Sequence, residues 1–357
     1  MRIGMQLDYS GGFVEAVEQL RDLEHAGLGV VFVAEAYGFD AVSQLGYIAA
    51  KTDRLEIASG ILPIYSRTPA LTAMTAAGLD HVSGGRFTLG LGASGPQVVE
   101  GFHGVPYQAP LGRTREVVQI CRAVWRREAL QHQGPHYPIP LPAGQGTGLG
   151  KPLKLINRPV RDRIPVMLAA IGPKNVALAA EIAEVWEPIF FHPDKAGEVY
   201  GVPLAEGRDK RDPQLGELQI HADVPTAIGG DTAAALAAVR ARLALYIGGM
   251  GARGKNFYND LACRYGYREA AERVQDLYLT GKKDEAAAAL PEDLVRSLCL
   301  VGSPGEIGER IAAYAKAGVT TLSISPVGEA AHDPAARLRL VEQIGHFVGQ
   351  DVDASRS

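Results

Sequence analysis

Leu55-Glu56-Ile57-Ala58-Ser59-Gly60-Ile61 reads as a strand, Pro69–Val82 behind Arg67-Thr68 as a helix, and Phe87-Thr88-Leu89-Gly90-Leu91 as a second strand. A short β-branched run, a longer helical stretch and another short run predict two parallel strands joined by a crossover helix. The same alternation continues in both directions. Strands are expected near residues 3–7, 30–34, 55–61, 87–91, 166–169, 185–190, 219–227 and 321–325, which makes eight. Helices fit between them at 13–26, 41–52, 69–82, 111–128, 173–183, 195–206, 231–247 and 307–316, with a C-terminal one at 333–349. In the last of the series, Ser303-Pro304-Gly305-Glu306 supplies a capping serine, a proline for the first turn and a glutamate three residues on. Eight such units in 357 residues predict an α/β fold, a (β/α)₈ TIM barrel occupying the chain as a single domain.

Two segments interrupt the alternation. Residues 130–163 are crowded with Gly134-Pro135 and Pro138-Ile139-Pro140-Leu141-Pro142, so an irregular excursion is expected. Residues 249–298 carry helical stretches at 269–279 and 284–290. Each is an insertion that could serve as a lid or as a structural flap. Catalysis in such barrels sits at the C-terminal ends of the strands, which directs attention to the loops that follow them.

Composition excludes several classes. No run of about 18 apolar residues is present, so no membrane span is expected. The net charge of −4, without a basic stripe, leaves no footprint for nucleic acid. Cys121, Cys263 and Cys299 form no paired spacing, so buried free thiols are expected in place of disulfides or a zinc site. His132 and His136 stand four apart in the Pro/Gly-rich segment with no third ligand near, so a solvent-facing loop is expected and no metal. Met1-Arg2-Ile3-Gly4-Met5 enters a strand pattern directly, which predicts a cytoplasmic protein.

Three constellations fall at strand ends. Gly90-Leu91-Gly92-Ala93-Ser94-Gly95 has the glycine spacing of a dinucleotide fingerprint, but three strand–helix units precede it and no acidic strand end follows at the required distance. A glycine-rich loop that lets backbone approach a ligand is the better reading. Ala170-Ile171-Gly172-Pro173-Lys174 turns a strand into a helix whose first N–H groups, beside a lysine, suit a phosphate; a plain helix start fits the residues equally well. Gly60, inside Ser59-Gly60-Ile61-Leu62-Pro63, marks a bulge or a close backbone approach.

Together with Glu35-Ala36-Tyr37-Gly38-Phe39-Asp40 and His81-Val82-Ser83-Gly84-Gly85-Arg86, these stretches resemble the luciferase-like monooxygenase superfamily, and within it the oxidoreductases that depend on the deazaflavin coenzyme F420. The resemblance runs from Arg2 to about Val327. It implies an enzyme that exchanges hydride between the deazaflavin and a small organic substrate, with a non-proline cis peptide at Gly60-Ile61 pressing on the cofactor's central ring. It further implies that Ser59, Gly60, Ile61, Gly92, Ala93 and Ser94 border that ring, and that Ala170, Ile171, Gly172, Pro173 and Lys174 hold the phosphate-bearing tail. Members of the group are often dimers, so a homodimer is expected.

The chain also departs from this pattern. Alcohol and sugar-phosphate dehydrogenases of the group carry a His after strand two and a Glu after strand four, where this chain has Ala36 and Ala93 or Ser94. Removing hydride from an alcohol requires a base for the hydroxyl proton. Reduction of an activated C=C or C=N bond is therefore expected over alcohol dehydrogenation. At strand six, Ala183-Glu184-Val185-Trp186-Glu187-Pro188 replaces the family's Ala-Asp-Gly-Trp, so ligand contacts there differ. Acid–base candidates at strand ends are Asp8, Glu35, Tyr37, Tyr65, His192 and His221, with Glu35 and Tyr37 the first choices as catalytic proton donors. The alternatives are an FMN-dependent monooxygenase on the same barrel and a non-catalytic flavin-binding protein.

Overall fold

The computed structural model describes residues 1–7 and 12–354. Eight strands run parallel: β1 (Arg2–Leu7), β2 (Leu28–Val33), β3 (Glu56–Ser59), β4 (Phe87–Gly92), β5 (Val166–Ala169), β6 (Val185–Glu187), β7 (Gln219–Ile228) and β8 (Thr321–Pro326). Each pairs with the next and β8 returns to β1, so the sheet closes into the predicted (β/α)₈ barrel. Strands covered by helices outside and by side chains inside face little water, and Val30, Val31, Phe32 and Val33 of β2 are accordingly all buried. Val30, Phe32, Ala58 and Met167 form an inner cluster, while Val31, Val33 and Ile57 belong to the larger core beneath the helices.

Local signals explain the helix starts. Thr68 accepts a hydrogen bond from the Leu71 N–H at 3.2 Å ahead of Pro69–Val82, and Asp40 caps Ala41–Lys51 by accepting from the Ser43 N–H at 2.8 Å. Ser303 and Glu306 form the expected capping box at Pro304–Lys316. The helix expected at 13–26 is instead two, Phe13–Glu18 and Leu20–His25. The break falls at Gln19, whose side chain bonds to the Pro334 carbonyl and to Arg337 of the C-terminal helix Pro334–Ala354. β6 stops at Glu187, short of the expected 190, because Pro188 has no N–H for the ladder. The sequence pattern also missed a short strand, Leu300–Gly302, which pairs with Thr226 to Ile228 at the end of β7.

The two interruptions differ in where they lie. Between 130 and 163 the chain makes only a small antiparallel pair, His132–Gln133 with Pro138–Ile139, lying against the helix Pro110–Trp125. His132 Nε2 is 3.2 Å from a Glu116 carboxylate oxygen, and that carboxylate also accepts from the Tyr137 N–H at 2.9 Å. Arg161 then ties the segment to Asp80 and to the Phe87 carbonyl, at the N-terminal end of β4. This segment is therefore anchored on the flank of the barrel, and His132 packs inward, not into solvent as expected. Residues 249–298 instead fold into Phe257–Arg264, Arg268–Leu279, Lys283–Ala288 and Glu292–Ser297. The first of these reaches the mouth, where Arg264 donates to the Ile171 carbonyl at 2.6 Å.

No helix among the described residues is long and apolar enough to cross a membrane, and the three cysteines are unpaired.

Candidate active site at the barrel mouth

The strand expected to run through 55–61 stops at Ser59, kinks, and resumes as Leu62–Pro63 against β4. Ala58 pairs with Thr88 and Leu62 with Leu91, four residues on against three. The extra residue makes a bulge, and the Gly60–Ile61 peptide bond within it is cis. Both edges of the bulge are bonded: the Gly60 N–H donates to the Val33 carbonyl at 2.8 Å, the Glu35 N–H to the Ile61 carbonyl at 3.1 Å, and the Ile64 N–H to the Gly92 carbonyl at 3.0 Å. Where the ladder lapses, the Ser59 hydroxyl donates to the Gly90 carbonyl at 2.9 Å and accepts from the Gly90 N–H at 2.8 Å.

This arrangement gives the strand-four glycines a different purpose from the one read in the sequence. A methyl group on Gly90 would fall onto the Ser59 carbonyl, and one on Gly92 would lie 2.8 Å from the Ile61 side chain. Both glycines admit the neighbouring bulge. Beyond them, Ala93 is half-buried and Ser94 takes a left-handed conformation at φ 57°, its carbonyl accepting from the Tyr107 hydroxyl at 3.3 Å.

β5 continues the row. Leu91 pairs with Leu168 and Ala169 with Glu187, so the bulge, Gly92 and the Ala170-Ile171-Gly172 turn occupy neighbouring strands along one side of the mouth. Gly172 precedes the ten-residue helix Pro173–Ile182, with Pro173 and Lys174 exposed on its first turn. A cleft of about 450 Å³ opens there, with Ile171, Gly172 and Pro173 on one wall and Asp260, Arg264 and Arg268 on the other. While Arg264 Nη2 bonds to Ile171, its Nη1 is buried without a hydrogen-bond partner. A helix N-terminus facing an unsatisfied guanidinium is a setting for an anion. Arg264 and Arg268 were not legible beforehand, since they lie about ninety residues further along the chain in a variable insertion.

The acid–base candidates separate clearly. Glu35 receives a bidentate fork from Arg67, at 2.5 and 2.8 Å, and a third bond from the Ala41 N–H at 3.0 Å. Burial alone would raise its pKa, but the Arg67 fork and the Ala41 N–H outweigh it and hold the carboxyl below its usual range. It stands as an anion with both oxygens engaged, which is the opposite of what a proton donor needs. Tyr37 is 67% exposed, with its ring 6.2 Å from that of Phe102. Tyr65 donates to the Gln108 carbonyl at 2.8 Å, and burial pushes its hydroxyl up to about 12. Burial lowers the pKa of His192, which lies beside Tyr265. His221 points into the lumen with its ring stacked on Phe32 at 4.0 Å. Asp8 lies outside the described residues. No group of three or more His, Cys, Asp or Glu side chains placed to hold a metal occurs among the described residues.

The luciferase-like monooxygenase family model matches residues 1–321. A Mycobacterium tuberculosis protein named as a coenzyme F420-dependent oxidoreductase is 44% identical over 330 residues, covering 91% of this chain and 95% of its own. The 5,10-methylenetetrahydromethanopterin reductase of Archaeoglobus fulgidus is 26% identical over 339 residues, covering 92% and 94%. Among solved structures, the coenzyme F420-dependent tetrahydromethanopterin reductase of Methanopyrus kandleri superposes with a TM-score of 0.78 at 22% identity, covering 97% of this chain and 99% of that one. A closed barrel with a bulge after its third strand, matched along nearly its whole length, places the chain in the luciferase-like monooxygenase family.

Proposed function

We propose that this protein is a coenzyme F420-dependent oxidoreductase that reduces an activated C=C or C=N bond of a small organic substrate. The observation that carries the cofactor assignment is the cleft at Ile171-Gly172-Pro173, where Arg264 Nη1 lacks a partner that a phosphate oxygen would supply. In this reading Ser59, Gly60, Ile61, Gly92, Ala93 and Ser94 border the ring, and Ala170 to Lys174, with Arg264, hold the tail. The bound reduced deazaflavin supplies the hydride, and the chain supplies position and electrostatics. Reduction is favoured over alcohol oxidation because Ala36 and Ala93 offer no base and Glu35 is engaged by Arg67. Glu35 is then a clamp between the loops after β2 and β3, and Tyr37 a rim residue.

Fluorescence titration of the apoprotein with coenzyme F420 and with FMN tests the assignment. Tight binding of FMN and none of the deazaflavin would overturn it. Arg264→Ala is expected to weaken coenzyme F420 binding roughly tenfold or more, the usual scale for one charge-assisted hydrogen bond, and to flatten its salt dependence. Calorimetric titration at two ionic strengths checks this, and an unchanged Kd would remove Arg264 from the site.

A further inference from the structure

The lumen of the barrel has one apolar wall and one polar wall, and the polar wall is left unsatisfied. Ile220 pairs with Trp186, which sets His221 of β7 beside Glu187 of β6. The closest approach is 3.6 Å, from His221 Nδ1 to Glu187 Oε1. That is beyond hydrogen-bond distance, and both ring nitrogens of His221 and Oε2 of Glu187 are buried with no partner. Gln6 Nε2 and Ser323 Oγ, also buried, lack partners as well. Asp223, two residues beyond His221 on β7, differs: Ser325 donates to it at 2.7 Å and Arg242 at 3.1 Å. Native interiors rarely leave such groups idle, and several of them on neighbouring strands of one barrel call for a function.

The cluster lies next to the proposed ring site. Glu187 pairs with Ala169, and Ala169 follows Leu168, the partner of Leu91, so Gly92, Ala169 and Glu187 form a row across β4, β5 and β6. His221 stacks on Phe32, the side chain that packs against Gly60: a methyl on Gly60 would meet Phe32 Cβ at 3.0 Å and the Gln6 side-chain oxygen Oε1 at 3.1 Å. The Glu187 side chain is 14% exposed, and its Oε2 is sealed from solvent.

We propose that Glu187 is the proton donor of this site. The proposal rests on the reductase reading above. As the substrate carbon takes hydride from the reduced deazaflavin, which is thereby oxidised, the atom at the other end of the double bond takes the Glu187 proton. The π bond of the substrate, the hydride-bearing C–H bond of the reduced cofactor and the O–H bond of Glu187 break, one new bond to hydrogen forms at each end of the former double bond, and the remaining carboxylate regains a proton from solvent. The surroundings keep this carboxyl protonated. β5 offers it Met167 and Ala169, and β7 offers His221 and the like-charged Asp223. Across the lumen stand the uncharged Gln6 and Ser323, while Arg2, at the far end, is engaged by Glu56. Burial first and Asp223 second push Glu187 up to about 8, and burial holds His221 down to about 4, so at neutral pH the pair is an acid beside a neutral imidazole.

Infrared spectroscopy of the full chain, with and without coenzyme F420, reads the proton directly. The expected result is a protonated-carboxyl carbonyl band at neutral pH that titrates near pH 8 and is missing from Glu187→Gln. With 2-cyclohexen-1-one as the activated-alkene probe, turnover should fall as pH rises through that value, because the donor is lost. Glu187→Gln should lose roughly 100-fold or more in kcat and keep its coenzyme affinity. A wild-type spectrum without the band, or a Glu187→Gln variant of undiminished kcat, would overturn the proposal. A wild-type protein that shows the band and binds coenzyme F420 yet leaves the probe unreduced would instead overturn the reductase reading, and the donor role with it.

Discussion

Gly90→Ala is expected to cost roughly 3 kcal/mol or more, or to prevent folding, because the added methyl meets backbone that cannot swing aside. The Ser59 carbonyl carbon would lie 2.9 Å from it and the Met167 methyl at the same distance, with the Ser59 oxygen closer still. The methyl would also wedge apart the strands that the Ser59 hydroxyl holds together through its two bonds to Gly90. Denaturant unfolding compared with Gly78→Ala checks it. Gly78 sits inside Pro69–Val82 with nothing near its would-be methyl, so that variant should gain about 0.5–1 kcal/mol from helix propensity alone. Equal stability of the two variants would mean that the bulge tolerates a side chain at position 90.

Arg67→Ala should be nearly as damaging. The side chains of Arg67 and Glu35 are 14% and 8% exposed, and removing one member of a buried pair strands the other, typically at about 3–5 kcal/mol. The pH dependence has a definite sign. The Glu35 carboxyl is held below its ordinary value in the fold, so its contribution is present in full above the unfolded pKa, about 4.3, and is lost as pH falls through the folded one. Wild-type stability should therefore decline on acidification by an amount that Arg67→Ala lacks. Thermal unfolding of both proteins between neutral and acidic pH measures the difference, and parallel curves would show that the pair contributes nothing.

Much of the barrel was legible because its strands are largely buried on both faces and several helix starts carry their own capping chemistry. Val30 to Val33, Thr68-Pro69 and Ser303 to Glu306 are local statements that hold without knowledge of the rest of the chain. The candidate site was legible only where it is built from backbone. Gly60, Gly92 and Gly172-Pro173 mark turns and close approaches, and the fold sets them on neighbouring strands. Groups defined by a distant partner were not readable. Glu35 looks like a free acid until Arg67 is seen against it, and Arg264 reaches Ile171 across 93 positions. Glu187 passed as an interior residue of the strand expected at 185–190, because its neighbour His221 is fixed by pairing between β6 and β7 and by nothing in either segment alone. The choice between lid and flap for 130–163 was unreadable for the same reason: Arg161 finds Asp80 across 81 positions and ties the segment to the flank of the barrel.

The hydroxyl of Ser59 returns to Gly90 twice, to its N–H and to its carbonyl. A single rotor thus stands in for a missing rung of the sheet, and it can do so only if residue 59 is small and able both to give and to take a hydrogen bond, while residue 90 has no side chain at all. The two positions form a lock with one key. Any drift at either one must be answered at the other, so they should vary together or not at all, whatever substrate the loops above come to select.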